Sequence, residues 1–317
     1  MFYQLVITML QRYLFYQKFV AADLSATSGV WIHADMPDEK EIAFLMQECE
    51  VPGDFIADMT DADERPRIEY DDGVTLIVLR IPRKNESGKI PYSTVPLGII
   101  VNGDRVITMA PFANDVVADF LQFARKKNVQ VATPHDLALR LMTSASVWYL
   151  KYMKQINAEV ANAENVLEKS IRNEDLLRLM YLDKSMVFFN AAIRGNEMTL
   201  AKFSNMLRAE IDYTRDIFED TRVELRQAHA MVSIYSDILT GTMDSFASII
   251  SNNVNTIMKR MTAISLILML PTLIASFYGM NVTTFVEDSP AAFVIILLFS
   301  LFLSAVTYGI FKWKNWI

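Results

Sequence analysis

MTAISLILMLPTLIASFYGM, Met261–Met280, is a run of twenty residues without a charge. At about 1.5 Å rise per residue, a helix of that length spans about 30 Å, the thickness of a hydrocarbon core. A second uncharged run, AAFVIILLFSLFLSAVTYGIF, Ala291–Phe311, follows after a short connection. Both runs predict transmembrane helices. Pro271 would break a helix in water, but in a membrane span neighbouring groups can satisfy the carbonyl it frees.

Charges flanking the runs set an expected orientation. Lys259 and Arg260 precede the first, Lys312 and Lys314 follow the second, and the connection NVTTFVEDSP has neither Lys nor Arg. The positive-inside rule puts both termini in the cytoplasm, with residues 281–290 outside and 312–317 as a basic cytoplasmic tail. Trp313 and Trp316 suit the interfacial aromatic belt. The outer loop, with Glu287 and Asp288, is too short for an extracellular catalytic domain.

The remainder reads as soluble protein. The chain of 317 residues is 52% hydrophobic yet 21% charged, a mixture that suggests a soluble portion joined to a membrane portion. A net charge of -7 argues against nucleic acid and makes cations the natural guests. The single cysteine, Cys49, excludes a disulfide framework within one chain and reads as a buried thiol. The N-terminal MFYQLVITMLQRYLFYQKFV has no basic leading region and carries Arg12 and Lys18 among its apolar residues. It is expected to be a strand or amphipathic segment of the soluble domain.

Residues 1–134 predict a mixed α and β domain. GVWIHAD, VTLIVLRIP and PLGIIVNGDRVITMAP read as strands, with Asn102-Gly103 as a hairpin signal, while 37–66 looks helical from Pro37 onward. DMTDADE, 58–64, reads as a helix end and turn. From 135 to 260 the texture is that of long helices, because there is no Pro before Pro271 and the only glycines are Gly195 and Gly241. Breaks are expected near SIRNEDLL, where Asn173 can cap a helix with Glu174 and Asp175 in its first turn, and at Gly195. The last helix is expected to start between 197 and 210 and to run into the membrane as a stalk of roughly 70 to 80 residues, on the order of 100 Å. Such a helix must bury an apolar stripe against other helices or against copies of itself.

Ser276, Thr272, Met269, Ser265, Met261, Met258 and Asn255 lie three or four residues apart and therefore share one helix face. Asp244 continues that face into the stalk. Small and hydroxyl residues in a span often serve helix packing, and a column from carboxylate through amide, thioether and hydroxyl also suits a cation pathway.

The segment YGMN, 278–281, closing the first of two C-terminal spans ahead of a short acidic loop, resembles the signature of the CorA magnesium transporters. RPRIEY at 65–70, ahead of the strand VTLIVLR, is similar to another segment of that family, and the long Pro-free region resembles its stalk. The resemblance implies an α+β cytoplasmic domain, long stalk helices and two C-terminal transmembrane helices, assembled as a homopentameric funnel. It implies that Gly279, Met280 and Asn281 form the outer mouth as a selectivity filter, with Asn281 presenting a ring of carbonyls. Thr272, Met269, Met261, Met258 and Asn255 would line the pore, and Asp244 would stand near its inner end. The family's regulatory Mg2+ sites imply a role for Asp220, in RDIFEDTR. The partner position falls on Asn85, where a carboxylate is usual, beside Glu86.

The chemistry is consistent with that implication. Mg2+ gives up its octahedral water shell reluctantly, so neutral acceptors that hydrogen-bond the shell can select the hydrated ion without stripping it. Glu287 and Asp288 can raise the local cation concentration above the ring. A membrane potential supplies about 2.3 kcal/mol per charge per 100 mV, with no need for an ATP site. Asp212, Asp216, Asp220 and Glu224 form a like-charge helical stripe that cations could neutralise, or a plain solvated face.

Uptake of Mg2+, with Co2+ and Ni2+ as further cargo, is therefore the expected function. The Zn2+-transporting ZntB branch is the alternative, although VTTFVEDSP lacks that branch's Gly-rich continuation. A membrane-anchored helical structural protein is a third reading. An enzyme is not expected, since His33, His135 and His229 are far apart and no nucleophile and base fall together. No organic cofactor is expected.

Overall fold

The computed structural model describes residues 10–23, 26, 28–169, 173–207, 211–280 and 290–316. They divide into two compact units, Met1–Gly241 and Thr242–Ile317.

Among the described residues, the first unit is built on a seven-stranded sheet in the order β2-β1-β3-β7-β6-β5-β4. The strands are β1 (Leu10–Leu14), β2 (Val20–Ala21), β3 (Val30–Asp35), β4 (Arg67–Asp71), β5 (Val74–Lys84), β6 (Tyr92–Asn102) and β7 (Arg105–Ala110). Every pairing is antiparallel except β3 with β7. Helices α1 (Glu39–Gln47) and α2 (Gly53–Thr60) cover one face, where Leu45, Phe55 and Met59 meet Val30, Ile32, Leu76, Val78 and Met109. On the other face Trp31 packs edge-on against Phe120 of α3 (Asp115–Lys127). There too Tyr149, of α4 (Pro134–Lys169), donates to the Arg80 carbonyl at 2.9 Å. Burial on both faces explains why VTLIVLRIP is apolar throughout rather than alternating.

Local chemistry sets the boundaries. Asp38 and Glu41 form a reciprocal capping box at the start of α1. Asn114 caps α3 by accepting from the Val117 N–H. The β6–β7 hairpin turns at Gly103-Asp104, one residue beyond the expected pair, since Asn102 still pairs with Arg105. A second tight hairpin, β4–β5, turns at Asp72-Gly73 with φ of 41° and 86°. That Asp-Gly pair is a strong turn signal. The helical texture expected over 37–66 takes the form of two short helices, α1 and α2. DMTDADE is a helix end: the Asp61 carboxylate accepts from the Asp63 N–H at 2.9 Å, and Arg67 joins Asp58 and Glu64.

Helix α5 (Asn173–Met206) begins at the expected Asn173 with Glu174 and Asp175 in its first turn. The expected break at Gly195 is not there. A Cβ on Gly195 would lie 2.7 Å from Pro66 Cγ, so this glycine admits a close approach of α5 to the segment before β4. Next to it, Asn196 receives the Arg80 N–H and donates to the Arg80 carbonyl at 2.7 Å. Helix α6 then runs from Ile211 to Tyr278, 68 residues with Pro271 inside it. Within the first unit it buries Thr221, Leu225, Ala228, Val232 and Leu239, a stripe at three- and four-residue steps with Tyr235 half-buried between the last two. The stalk's need for an apolar seam is thus met in part inside one chain.

The second unit holds the end of α6 and α7 (Ala292–Trp313). Both helices are long and apolar enough to cross a membrane, and only 6% of each apolar window is buried within the chain. Cores of soluble proteins bury such helices.

Candidate functional site

The two apolar helices touch along narrow faces. On α7, Ser300 is buried and Ile296, Leu303, Ser304, Thr307 and Phe311 are half-buried. On α6, Ala263 is fully buried and Ile267, Leu270, Pro271 and Ile274 are half-buried. Ser304 Oγ donates to the Ile267 carbonyl at 3.3 Å. Small residues at the contact let the backbones approach, the usual basis of helix association in lipid.

Four residues of the polar face follow one of these α6 contact residues by two positions: Ser265 after Ala263, Met269 after Ile267, Thr272 after Leu270, Ser276 after Ile274. Two residues are about 200° of helix rotation. The polar and thioether face therefore lies opposite α7 and is not used for packing within the chain. Met258, Met261 and Met269 are 61%, 58% and 60% exposed, and Asp244, Asn255, Ser265, Thr272 and Ser276 are exposed too. Thr272 hydrogen-bonds the Leu268 carbonyl at 3.1 Å.

At the top of α6, Gly279 N–H donates to the Ala275 carbonyl at 2.9 Å, and Met280 N–H closes a tighter turn on Phe277. A Cβ on Gly279 would lie 3.3 Å from the Ala275 oxygen, so the chain leaves the helix where little room exists beside the backbone. Asn281, Glu287 and Asp288 lie outside the described residues.

Asp220 and Glu86 are both exposed and lie on different elements, α6 and the β5–β6 loop. Asp220 lines a pocket of about 440 Å³ with Asp119, Phe123, Arg140, Lys151 and Ile217. Two of its charges are already matched, Lys151 with Asp119 at 2.6 Å and Arg140 with the fully buried Asp136 at 2.6 Å. Asn85 works as a loop clasp: its N–H bonds the Pro91 carbonyl, its amide the Ile90 carbonyl, and its side-chain oxygen accepts from Ser93. No group of three or more His, Cys, Asp or Glu gathers to hold a metal ion among the described residues. Asp216 and Asp220 are exposed and Glu224 half-buried on the stalk, while the Asp212 side chain is outside the described residues. The histidines sit in separate surroundings: His33 between Thr108 and Asp35, His229 beside Glu197, and His135 against the Phe203 ring.

A family model described as CorA-like Mg2+ transporter protein matches residues 27–312. The chain belongs to that family. Membership makes it a divalent-cation transporter of the CorA-like kind. The cobalt/magnesium transport protein CorA of Methanocaldococcus jannaschii is 22% identical over 293 residues, 91% of each chain. That of Thermotoga maritima is 23% identical over 233 residues, 71% of this chain and 65% of its own. Among solved structures, the complete CorA magnesium transporter from M. jannaschii has a TM-score of 0.83 at 21% identity, covering 98% of this chain and 99% of that one. Full-length CmaX has a TM-score of 0.70 at 17% identity over 96% and 97% of the two chains. The ZntB cytoplasmic domain from Vibrio parahaemolyticus has a TM-score of 0.61 at 12% identity, over 77% of this chain and 97% of that domain. The CorA-like fold, with its α/β domain, long helix and two C-terminal apolar helices, is thus the one the sequence implied.

Two features of this CorA-like chain escape a reading of the sequence. The SLFLSAVT register of α7, Ser300, Ser304 and Thr307, supplies its contact face, and the signal that could have found it is hydroxyls at three- and four-residue spacing in a Leu/Phe-rich helix. The carboxylate and cations around Asp220 come from α3 and α4, remote in sequence, and no local pattern announces them.

Proposed function

We propose that this chain assembles as a homopentamer in the cell's plasma membrane and conducts hydrated Mg2+ down its electrochemical gradient, with Co2+ and Ni2+ as further cargo. One observation carries the reading: the Asn255–Ser276 face is left open on the side of α6 opposite α7. Five copies of that face, brought together, make a channel whose wall changes from amide through thioether to hydroxyl. Met258, Met261 and Met269 narrow it with apolar side chains that can gate by dewetting. Gly279, Met280 and Asn281 form the outer mouth, where a neutral oxygen ring holds the water shell of Mg2+ rather than replacing it. Glu287 and Asp288 concentrate cations outside, and Asp244 receives them at the inner end.

In this reading residues 1–134 and 135–260 are the cytoplasmic domain and stalk, 261–280 and 291–311 the spans, 281–290 the outer loop and 312–317 the inner tail. Internal Mg2+ closes the channel by neutralising Asp220 against a neighbouring subunit, with Glu86 as the candidate partner. Asp220 is suited to this because its carboxylate sits on the rim of a pocket whose other charges are paired.

The test is Mg2+ flux into liposomes containing the purified full-length protein, with an imposed potential and with Co2+, Ni2+ or Zn2+ as competitors. Potential-driven Mg2+ uptake is expected. Preferred Zn2+ uptake would favour the ZntB-like alternative, and no flux of any divalent ion would leave the helices as an anchor.

A further inference from the structure

Pro271 has no N–H, so the carbonyl four residues earlier, that of Ile267, loses its helical donor. An orphaned carbonyl in hydrocarbon is costly, and a notch of this kind is where a membrane helix bends. Two hydroxyls serve the site. Ser304 of α7 donates to the Ile267 carbonyl at 3.3 Å, and Thr272 donates to the next one, Leu268, at 3.1 Å. Ser304 is half-buried at the helix contact, one turn from the buried Ser300, whose own hydroxyl bonds Leu297 within α7. Ser304 is thus the hydroxyl at this contact that crosses to the proline notch.

We propose that Ser304 is a positioning residue for the pore-lining helix: by donating to the carbonyl freed by Pro271, it ties α7 to the notch and fixes the line along which Met269, Thr272 and Ser276 face the ion. The inference rests on the conduction reading for its consequence, while the latch itself is a property of the helix pair. At 3.3 Å the bond is long for a hydroxyl and can be made or released by a small change in helix separation. Holding it keeps Met269 and Thr272, which flank Pro271 on the open face, in one register. Releasing it lets the upper helix, with Ser276 and Gly279, swing about the notch.

A double-mutant cycle between Ser304→Ala and Pro271→Ala tests this. In the Pro271→Ala protein the new N–H serves Ile267, so the hydroxyl has nothing left to satisfy. In the wild-type background, Ser304→Ala is expected to change Mg2+ flux by about threefold, the size of one interhelical hydroxyl bond in a membrane, and to lower the thermal midpoint of the full-length protein in detergent. Ser304→Thr is expected to restore both. In the Pro271→Ala background, Ser304→Ala is expected to leave both readouts within about 1.3-fold or 1 °C of that parent, well inside the effect of one such bond. Ser300→Ala, which alters packing without touching the notch, should act equally in the two backgrounds. Equal effects of Ser304→Ala in both backgrounds would overturn the latch. Should none of the proteins transport, the conduction reading fails, and the thermal cycle alone still decides whether Ser304 serves the notch.

Discussion

Strand β5 and helix α7 are made of the same kinds of residue and treat them in opposite ways. In VTLIVLRIP, Leu76, Ile77, Val78, Leu79 and Ile81 are fully buried. In α7, Phe293, Leu298 and Phe302 are 76%, 60% and 64% exposed. The strand is covered on both faces by helices of its own chain. The helix touches its partner along one face and leaves the rest to its surroundings. Apolar content therefore says that water is excluded, while what excludes it differs: protein of the same chain in the first unit, and in the second the surroundings of two helices long and apolar enough to cross a membrane. The same contrast governs polar groups. Arg80, between the sheet faces, finds acceptors on Thr94, Ala62 and Glu64 within the chain. The residues of the α6 face are exposed instead, with Thr272 donating to its own helix at the Leu268 carbonyl.

That contrast can be broken most sharply at the outer mouth. Asn281→Ala removes an acceptor that, in the proposed pentamer, recurs in every subunit. At about 1 kcal/mol per hydrogen bond, the summed loss exceeds the roughly 1.4 kcal/mol that makes a tenfold change in rate. Liposome flux should fall by more than about tenfold while the thermal midpoint stays put. Flux at the wild-type rate would remove Asn281 from the filter.

A smaller effect is expected at Asp220→Lys. Placing a cation on the stalk where Mg2+ is proposed to act should raise the internal Mg2+ needed for half-inhibition by about tenfold, equivalent to about 1.4 kcal/mol. Measured on the same liposomes, an unchanged inhibition curve would put control at other residues.

In the first unit, Gly195→Ala sets two local rules against each other. Helix propensity alone favours Ala by about 1 kcal/mol. The Pro66 ring, 2.7 Å from the added Cβ, opposes it. Overpacking of about 1–3 kcal/mol should win and lower stability in urea unfolding. A stabilised variant would show that the α5 approach relaxes freely.

The smallest effect concerns alkaline pH. Burial, reinforced by Asp115 at 3.3 Å, pushes the Tyr152 hydroxyl up to about 12. Its proton is held more tightly folded than unfolded, so its contribution is complete below about pH 10, the unfolded value. It is lost as pH rises from there through about 12. Tyr152→Phe should flatten the fall in stability across that window, as read by circular dichroism. An unaltered alkaline slope would assign the transition to other groups.

Much of the molecule was legible in its residues because the signals are local. Uncharged runs long enough to span a bilayer, basic flanks, β-rich stretches and the YGMN turn each depend on neighbours in sequence. Gly195 was misread for the same reason: a helical glycine looks like a break until the ring packed against it is seen. The capping box at Asp38 and the turn at Asp72-Gly73 are local signals too, a side chain three residues from its partner and an Asp-Gly pair between two strands. Asn85 looked like a substituted ligand position, and the fold makes it the clasp of the β5–β6 loop.

The sequence alone determined the two-part composition, the membrane-length helices, the family and the periodic polar face, since hydropathy and helical period are properties of the chain. Tertiary structure decided which side of α6 meets α7. The answer depends on the register of two helices, on Ala263 against the α7 face and Ser304 against Ile267, and no spacing within one helix encodes the rotation of its neighbour. Because that contact lies about 200° from Ser265, Met269, Thr272 and Ser276, the polar face is left open on the far side of α6.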